Sequence, residues 1–154
     1  MKYIGLDLHK KSIFATVLGE DGKILAYFEM IGIPFTSTSS ISSALTFNKA
    51  FCNQVVKGSG VSVANSMHLF KEDPYIVNDI LQQISLPCFI KPNQGGSSVG
   101  ISKVNHKEEI IPALEKAFVE DTEVLVEEFI EGRELTIGVM KRKGEIIAFP
   151  ITEI

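Results

Sequence analysis

The run Pro92-Asn93-Gln94-Gly95-Gly96-Ser97-Ser98-Val99-Gly100 is the strongest chemical signal in the chain. Adjacent glycines let a backbone approach a ligand closely. Successive amides of such a loop can converge on an anion, and the hydroxyls of Ser97 and Ser98 add donors. Lys91 stands immediately before it at a strand end, where an ammonium can meet a phosphate. A mobile hairpin loop uses the same residue types, so taken alone the loop supports both readings. No Gly-Lys-Ser/Thr follows, which excludes a P-loop, and Gly58-Ser59-Gly60 lacks the third glycine of a dinucleotide fingerprint.

A second cluster is Val124-Leu125-Val126-Glu127-Glu128-Phe129-Ile130-Glu131-Gly132-Arg133-Glu134. An apolar strand running into paired acids suits an edge that lines a cleft. There a backbone amide and carbonyl can pair with an adenine edge, and a carboxylate a few residues on can take ribose hydroxyls. A solvated acidic strand end has the same composition. Elsewhere the chain offers little chemistry. His9, His68, His106, Cys52 and Cys88 show no metal-ligand spacing, and no Cys-His or Gly-x-Ser-x-Gly arrangement exists. The two cysteines sit among apolar neighbours and read as reduced, buried thiols.

The elements that must position these residues follow from periodicity. Tyr3–Leu8 and Ser12–Leu18 read as strands, Glu20-Asp21-Gly22-Lys23 as a turn, and Gly32-Ile33-Pro34 as a break. The hydroxyls of Thr36 to Ser40 can cap a helix expected from about Ser40 to Lys57 and ended by Gly58-Ser59-Gly60. A strand over Val61–Phe70 and a helix opened by Asp73-Pro74, with Ile76, Ile80, Leu81 and Ile84 on its apolar face, come next. Leu86–Lys91, interrupted by Pro87, and Ile101–Val104 flank the Gly/Ser loop as strands. Asn105 with Glu108 forms a capping box ahead of Ile110, Ile111, Leu114 and Phe118; Pro112 either bends that helix or marks a later start. Glu123–Ile130 is a strand, and Glu134–Lys141 with Glu145–Phe149 a hairpin around Lys143-Gly144 that ends before Pro150. Several of these strands must be antiparallel, which is an α+β pattern rather than a doubly wound parallel sheet.

Composition bounds the partners. The 154 residues are 45% hydrophobic and 22% charged, which suits a globular chain with a core. Fifteen Lys+Arg against 19 Asp+Glu give a net charge of −4, which offers no general attraction to nucleic acid or anionic lipid. No apolar run approaches the roughly 20 residues needed to span a bilayer. The short apolar start precedes its lysines, the reverse of a secretory signal, so the expected location is the cytoplasm.

Taken together, Lys91-Pro92-x-x-Gly95-Gly96-Ser97-Ser98-Val99-Gly100 and Val126 to Glu134 resemble the central ATP-grasp region of the D-alanine–D-alanine ligase family. Gly32-Ile33-Pro34-Phe35-Thr36, Ser43 to Lys49, Gly19-Glu20-Asp21-Gly22 and Pro150 to Ile154 are similar to the same family, so the resemblance runs from Gly19 to Ile154. It implies an incomplete ATP-grasp-like α+β fold, a mostly antiparallel sheet with flanking helices. It also implies two parts: residues 1–30, an N-terminal segment joined to a partial ligase linker, and 31–154, the nucleotide-binding region.

The resemblance implies ATP-dependent synthesis of a peptidoglycan precursor, in which one D-alanine is activated as an acyl phosphate and attacked by the amine of a second. It assigns Lys49 and Lys91 to the ATP phosphates, and Gly95, Gly96, Ser97, Ser98 and Val99, up to Gly100, to the loop that closes over them. Ser97 matches a loop serine near the substrate and is the candidate catalytic residue. Glu127, Glu128, Phe129 and Ile130 match the adenine hinge, and Glu134 the ribose-binding acid. The family's magnesium-binding Asp, Glu and Asn, its substrate arginine and its first-substrate motif find no match. ATP is therefore the implied cofactor, magnesium lacks protein ligands, and the chain alone is expected to bind nucleotide without ligating. A module of the same fold that binds no nucleotide is the alternative. Met1 to Leu18 lies outside the resemblance. Its Ile4 to Ser12 is similar to the first strand of ribonuclease H-like transposases, where an aspartate such as Asp7 holds metal, with no partner carboxylates identifiable.

Overall fold

The computed structural model describes residues 4–9, 12–17, 23–35 and 38–154. β1 (Ile4–His9) and β2 (Ser12–Val17), the two strands expected there, form an antiparallel pair in register from Ile4↔Val17 to His9↔Ser12. The side chain of Asp7, the Gly19 to Gly22 motif with its turn, and Thr36-Ser37 lie outside the described residues.

Helix α1 (Lys23–Met30) has no counterpart in the sequence reading, because its apolar residues run on without a clear period. It closes with Gly32 at φ +69 and the Ile33 amide donating back to the Phe28 carbonyl (2.9 Å), a Schellman ending. The single helix expected over Ser40–Lys57 is two: α2 (Ser40–Phe47) and α3 (Lys49–Gly58). Asn48 breaks them at φ −87, ψ 102; its amide still donates to Ala44 while its Oδ1 accepts from the Phe51 amide (3.0 Å). An Asx cap thus wins over an uninterrupted apolar period. Ser39 caps α2 as the hydroxyl run predicts, through its Oγ and the Ser42 amide.

β3 is Ser66–Phe70, shorter than expected, because β6 (Glu123–Glu128) lies opposite only that stretch. α4 (Val77–Gln83) begins three residues beyond Pro74, and buries Ile80 and its capping neighbour Ile84 while Ile76 is exposed. β4 (Cys88–Pro92) starts after Pro87, and β5 (Ser102–Val104) follows the Gly/Ser loop. The four-stranded sheet runs β3-β6-β4-β5 with every pair antiparallel, so the α+β expectation holds.

The capping box moves one residue along: Glu109, not Glu108, reaches back, and its Oε2 accepts from the amides of Asn105 (2.7 Å) and His106 (3.2 Å). A 3-10 turn over 107–109 then leads into α5 (Ile110–Glu120), which places Pro112 in the first turn where no N–H is needed. The two amides hold the Glu109 carboxyl below its ordinary pKa. Its contribution is therefore present above the ordinary carboxylate range and is lost as pH falls through the depressed folded value. Glu109→Gln is expected to lower stability at neutral pH and to match the parent in strong acid, in paired urea denaturations.

α5 packs on one face of the sheet. Ile80, Ile84, Cys88, Ile90, Val104, Ile110, Leu114, Phe118, Val124 and Val126 form the core there. The alternation in β4 sends Cys88 and Ile90 into that core and leaves Phe89 and Lys91 on the opposite face. Cys52 and Cys88 are free thiols, and Cys88 is buried, as expected; Cys52 is half-buried. No helix among the described residues is long and apolar enough to cross a membrane.

The last segment is built differently. β8 (Val139–Arg142) and β9 (Glu145–Ala148) make the expected hairpin, with Lys143 at φ 52 and Gly144 at φ 88. The strand expected over Glu134–Lys141 is divided at Gly138: β7 (Leu135–Thr136) pairs instead with β10 (Thr152–Glu153), which forms beyond Pro150. Every residue from 129 to 154 is exposed, so these pairs rest on no core of their own.

Candidate functional site

The face of the sheet away from α5 carries Phe89 and Lys91 from β4 and Glu127 from β6. With the hinge that leaves β6 they wall a cleft of about 560 Å³, lined by Lys91, Ser98, Ile101, Glu127 to Ile130 and Glu134 among others. Seven of the sequence-assigned residues thus meet in one place: Lys91, Ser98, Glu127, Glu128, Phe129, Ile130 and Glu134. Lys49, Gly95, Gly96, Ser97 and Val99 do not line it.

One end of the cleft is charged. Lys91 Nζ lies 2.5 Å from Glu127 Oε1, and Asn53 Nδ2 donates to the other carboxylate oxygen at 3.3 Å. Lys49 Nζ donates to the carbonyls of Pro92 (3.0 Å), Asn93 (3.3 Å) and Gly95 (3.1 Å), so it holds the base of the loop. Burial, and then the neighbouring Lys91, lower the Lys49 pKa, partly offset by Asp121 and Glu127. In the loop, Ser97 (φ 54) and Ser98 (φ 58) occupy the left-handed region, an arrangement costing of order 1 kcal/mol per residue. Gly100 (φ +74) closes it against Pro92, whose Cγ would stand 2.8 Å from an added Cβ.

The other end is apolar and then acidic. Phe89 and Phe129 meet at 6.0 Å with their rings tilted by 53°. The Phe129 amide donates to the Pro87 carbonyl (3.2 Å) and the Glu128 amide to Asn65 (3.0 Å), which fixes the hinge to two neighbouring loops. The Ile130 amide finds no acceptor among the described residues, so it can donate to a ligand in the cleft. Glu134 stands beyond it on the rim.

Sequence reasoning missed the residues that hold this frame. Asn93 is fully buried: its Oδ1 accepts from the Ala50 amide (2.9 Å), its Nδ2 donates to Glu123 Oε2 (2.8 Å), and its carbonyl accepts from the Lys49 amide (3.1 Å). Glu123 Oε2 also lies 2.8 Å from His68 Nε2. This chain joins β3, β6, the end of β4 and the first turn of α3. An asparagine after proline reads as a loop residue, and nothing local marks it as buried. Lys103 was missed too: its ammonium lies 3.7 Å over the ring of Phe129.

The cleft has an aromatic wall and an unpaired hinge amide on one side and a lysine beside the glycine loop on the other. Among the described residues no group of three or more His, Cys, Asp or Glu side chains is placed to hold a metal ion.

Comparison with known proteins bears on most of the chain. The family profile described as D-ala D-ala ligase C-terminus matches residues 55–154. The D-alanine–D-alanine ligase of Phocaeicola vulgatus is 48% identical over 136 residues, covering 88% of this chain and 42% of that protein. That of Parabacteroides distasonis is 47% identical over the same length, covering 88% and 41%. Among solved structures, the VanG D-Ala:D-Ser ligase of Enterococcus faecalis superimposes with a TM-score of 0.80 at 33% identity, over 93% of this chain and 46% of that one. The D-alanine–D-alanine ligase of Bacillus anthracis, solved in complex with ATP, gives 0.76 at 28% identity, over 88% and 44%. The chain spans about two-fifths of the length of the curated relatives it matches.

Proposed function

Because the chain belongs to the D-Ala–D-Ala ligase C-terminal family, we propose that it carries the nucleotide-gripping part of an ATP-dependent D-alanine–D-alanine ligase acting in cytoplasmic synthesis of a peptidoglycan precursor. The observation that supports this most is the convergence of Lys91, Ser98, the hinge Glu127 to Ile130 and Glu134 on one cleft. We assign the adenine to the hinge, with the Ile130 amide as donor and Phe89 and Phe129 as the apolar wall. The ribose falls to Glu134, and the phosphates to Lys91 and Ser98, with Lys49 and the loop through Gly95, Gly96, Ser97 and Val99 closing from the side. Residues 31–154 are the nucleotide-binding part and 1–30 an N-terminal segment joined to a partial ligase linker. D-alanine is the substrate of the whole protein, and Ser97 the loop residue nearest to it.

In this arrangement the phosphates compete with the existing partners of both lysines. They must draw Lys91 from Glu127 and Lys49 from three carbonyls. Both exchanges reduce the net gain per contact, so binding by the 154-residue polypeptide is weak. Calorimetric titration with ATP is expected to show saturable binding, with no release of phosphate above a no-protein control when D-alanine is added. A folded chain that takes up no ATP would instead establish the non-enzymatic module.

A further inference from the structure

We propose that Lys103 is a positioning residue for the adenine end of the cleft, acting through the ring of Phe129; this rests on the nucleotide reading above. β5 pairs with β4 so that Lys103 stands opposite Phe89, on the sheet face that carries the cleft. Its Nζ lies 3.7 Å from the centroid of the Phe129 ring. Phe129 lines the cleft, whereas Lys103 lines the neighbouring groove with Ser102, Glu108 and Pro112. Lys103 is not among the residues that line the cleft, and its contact there is with the ring that does.

The ring needs such support. Phe129 is 37% exposed, and it is the first residue of the coreless terminal segment. Its backbone is tied to Pro87, and Phe89 touches it at a tilt, which leaves rotation of the ring itself open. A cation on one face is attracted to the ring quadrupole and fixes the plane that the other groups leave free. A fixed plane is what a stacking base requires.

At an exposed site such a contact is worth a factor of about two to five in affinity. Lys103→Met is expected to weaken binding of both ATP and neutral adenosine by that factor, measured by calorimetry for ATP and ligand-observed NMR for adenosine. Lys103→Arg, which keeps a cation over the ring, is expected to restore both. In a Phe129→Leu background the Lys103→Met change is expected to add nothing, since its route is gone. Loss confined to ATP would show a long-range charge effect on the phosphates and overturn the inference. So would an undiminished loss in the Phe129→Leu background, or no loss at all. A parent chain that binds neither ligand would overturn the nucleotide reading and this inference with it, whereas a binding parent with a neutral Lys103→Met would sink this inference alone.

Discussion

Asn93→Ala is expected to lower the unfolding free energy by about 2–5 kcal/mol. The side chain is fully buried and serves two elements at once. Its removal strands the Ala50 amide, whose residue is only 4% exposed, and unsatisfied buried donors cost about 1–3 kcal/mol. It also takes a donor from the Glu123 carboxylate, a charge-assisted bond of about 1.5–3 kcal/mol. Water entering the gap recovers part of each, which sets the range. Urea denaturation of parent and variant measures it. A loss below about 1 kcal/mol would mean that the first turn of α3 is held by other contacts and that Asn93 is not its anchor.

Lys91→Ala is expected to weaken ATP binding about ten- to hundred-fold, the loss of one charge-assisted contact of about 1.5–3 kcal/mol. The carboxylate of Glu127, now without its cation, faces the same space and adds to the loss. The comparison variant must remove a lysine elsewhere. From sequence alone Lys103 serves, since it lies beyond the loop, but its position over Phe129 disqualifies it. Lys107, whose ammonium donates to Asn78 Oδ1 at 2.8 Å, is remote from the cleft and is expected to be silent on replacement with alanine. Equal affinities for Lys91→Ala and Lys107→Ala in a calorimetric or fluorescent-analogue titration would remove Lys91 from the phosphate site.

The parts of this site that could be read from sequence are those in which local composition and position coincide. The glycines and serines after Lys91 form a loop whatever the tertiary context, and an apolar strand running into Glu127-Glu128 forms a sheet edge. What could not be read depends on distant partners. The break at Asn48 lies inside a helical period; its local cap on the Phe51 amide is joined by the Lys49 amide, which donates to Asn93, 44 residues on. β10 forms beyond Pro150 only because β7 stands opposite it. Lys49 matches a phosphate ligand by motif, yet three loop carbonyls occupy its ammonium. Motif matching assigns residues to a site; it does not show which of them are already bound to one another.

The nucleotide reading stands or falls on where ATP goes. Amide chemical-shift mapping of the isotopically labelled chain on titration with ATP locates it directly. The expected result is saturable shifts at Lys91, Ser98 and Glu127 to Ile130, with the Ile130 amide moved downfield as it gains an acceptor, and none around Ser102 to Lys116 beyond Lys103 itself. Shifts clustered away from the hinge, or an Ile130 amide unmoved while ATP binds, would contradict the assignment of this cleft.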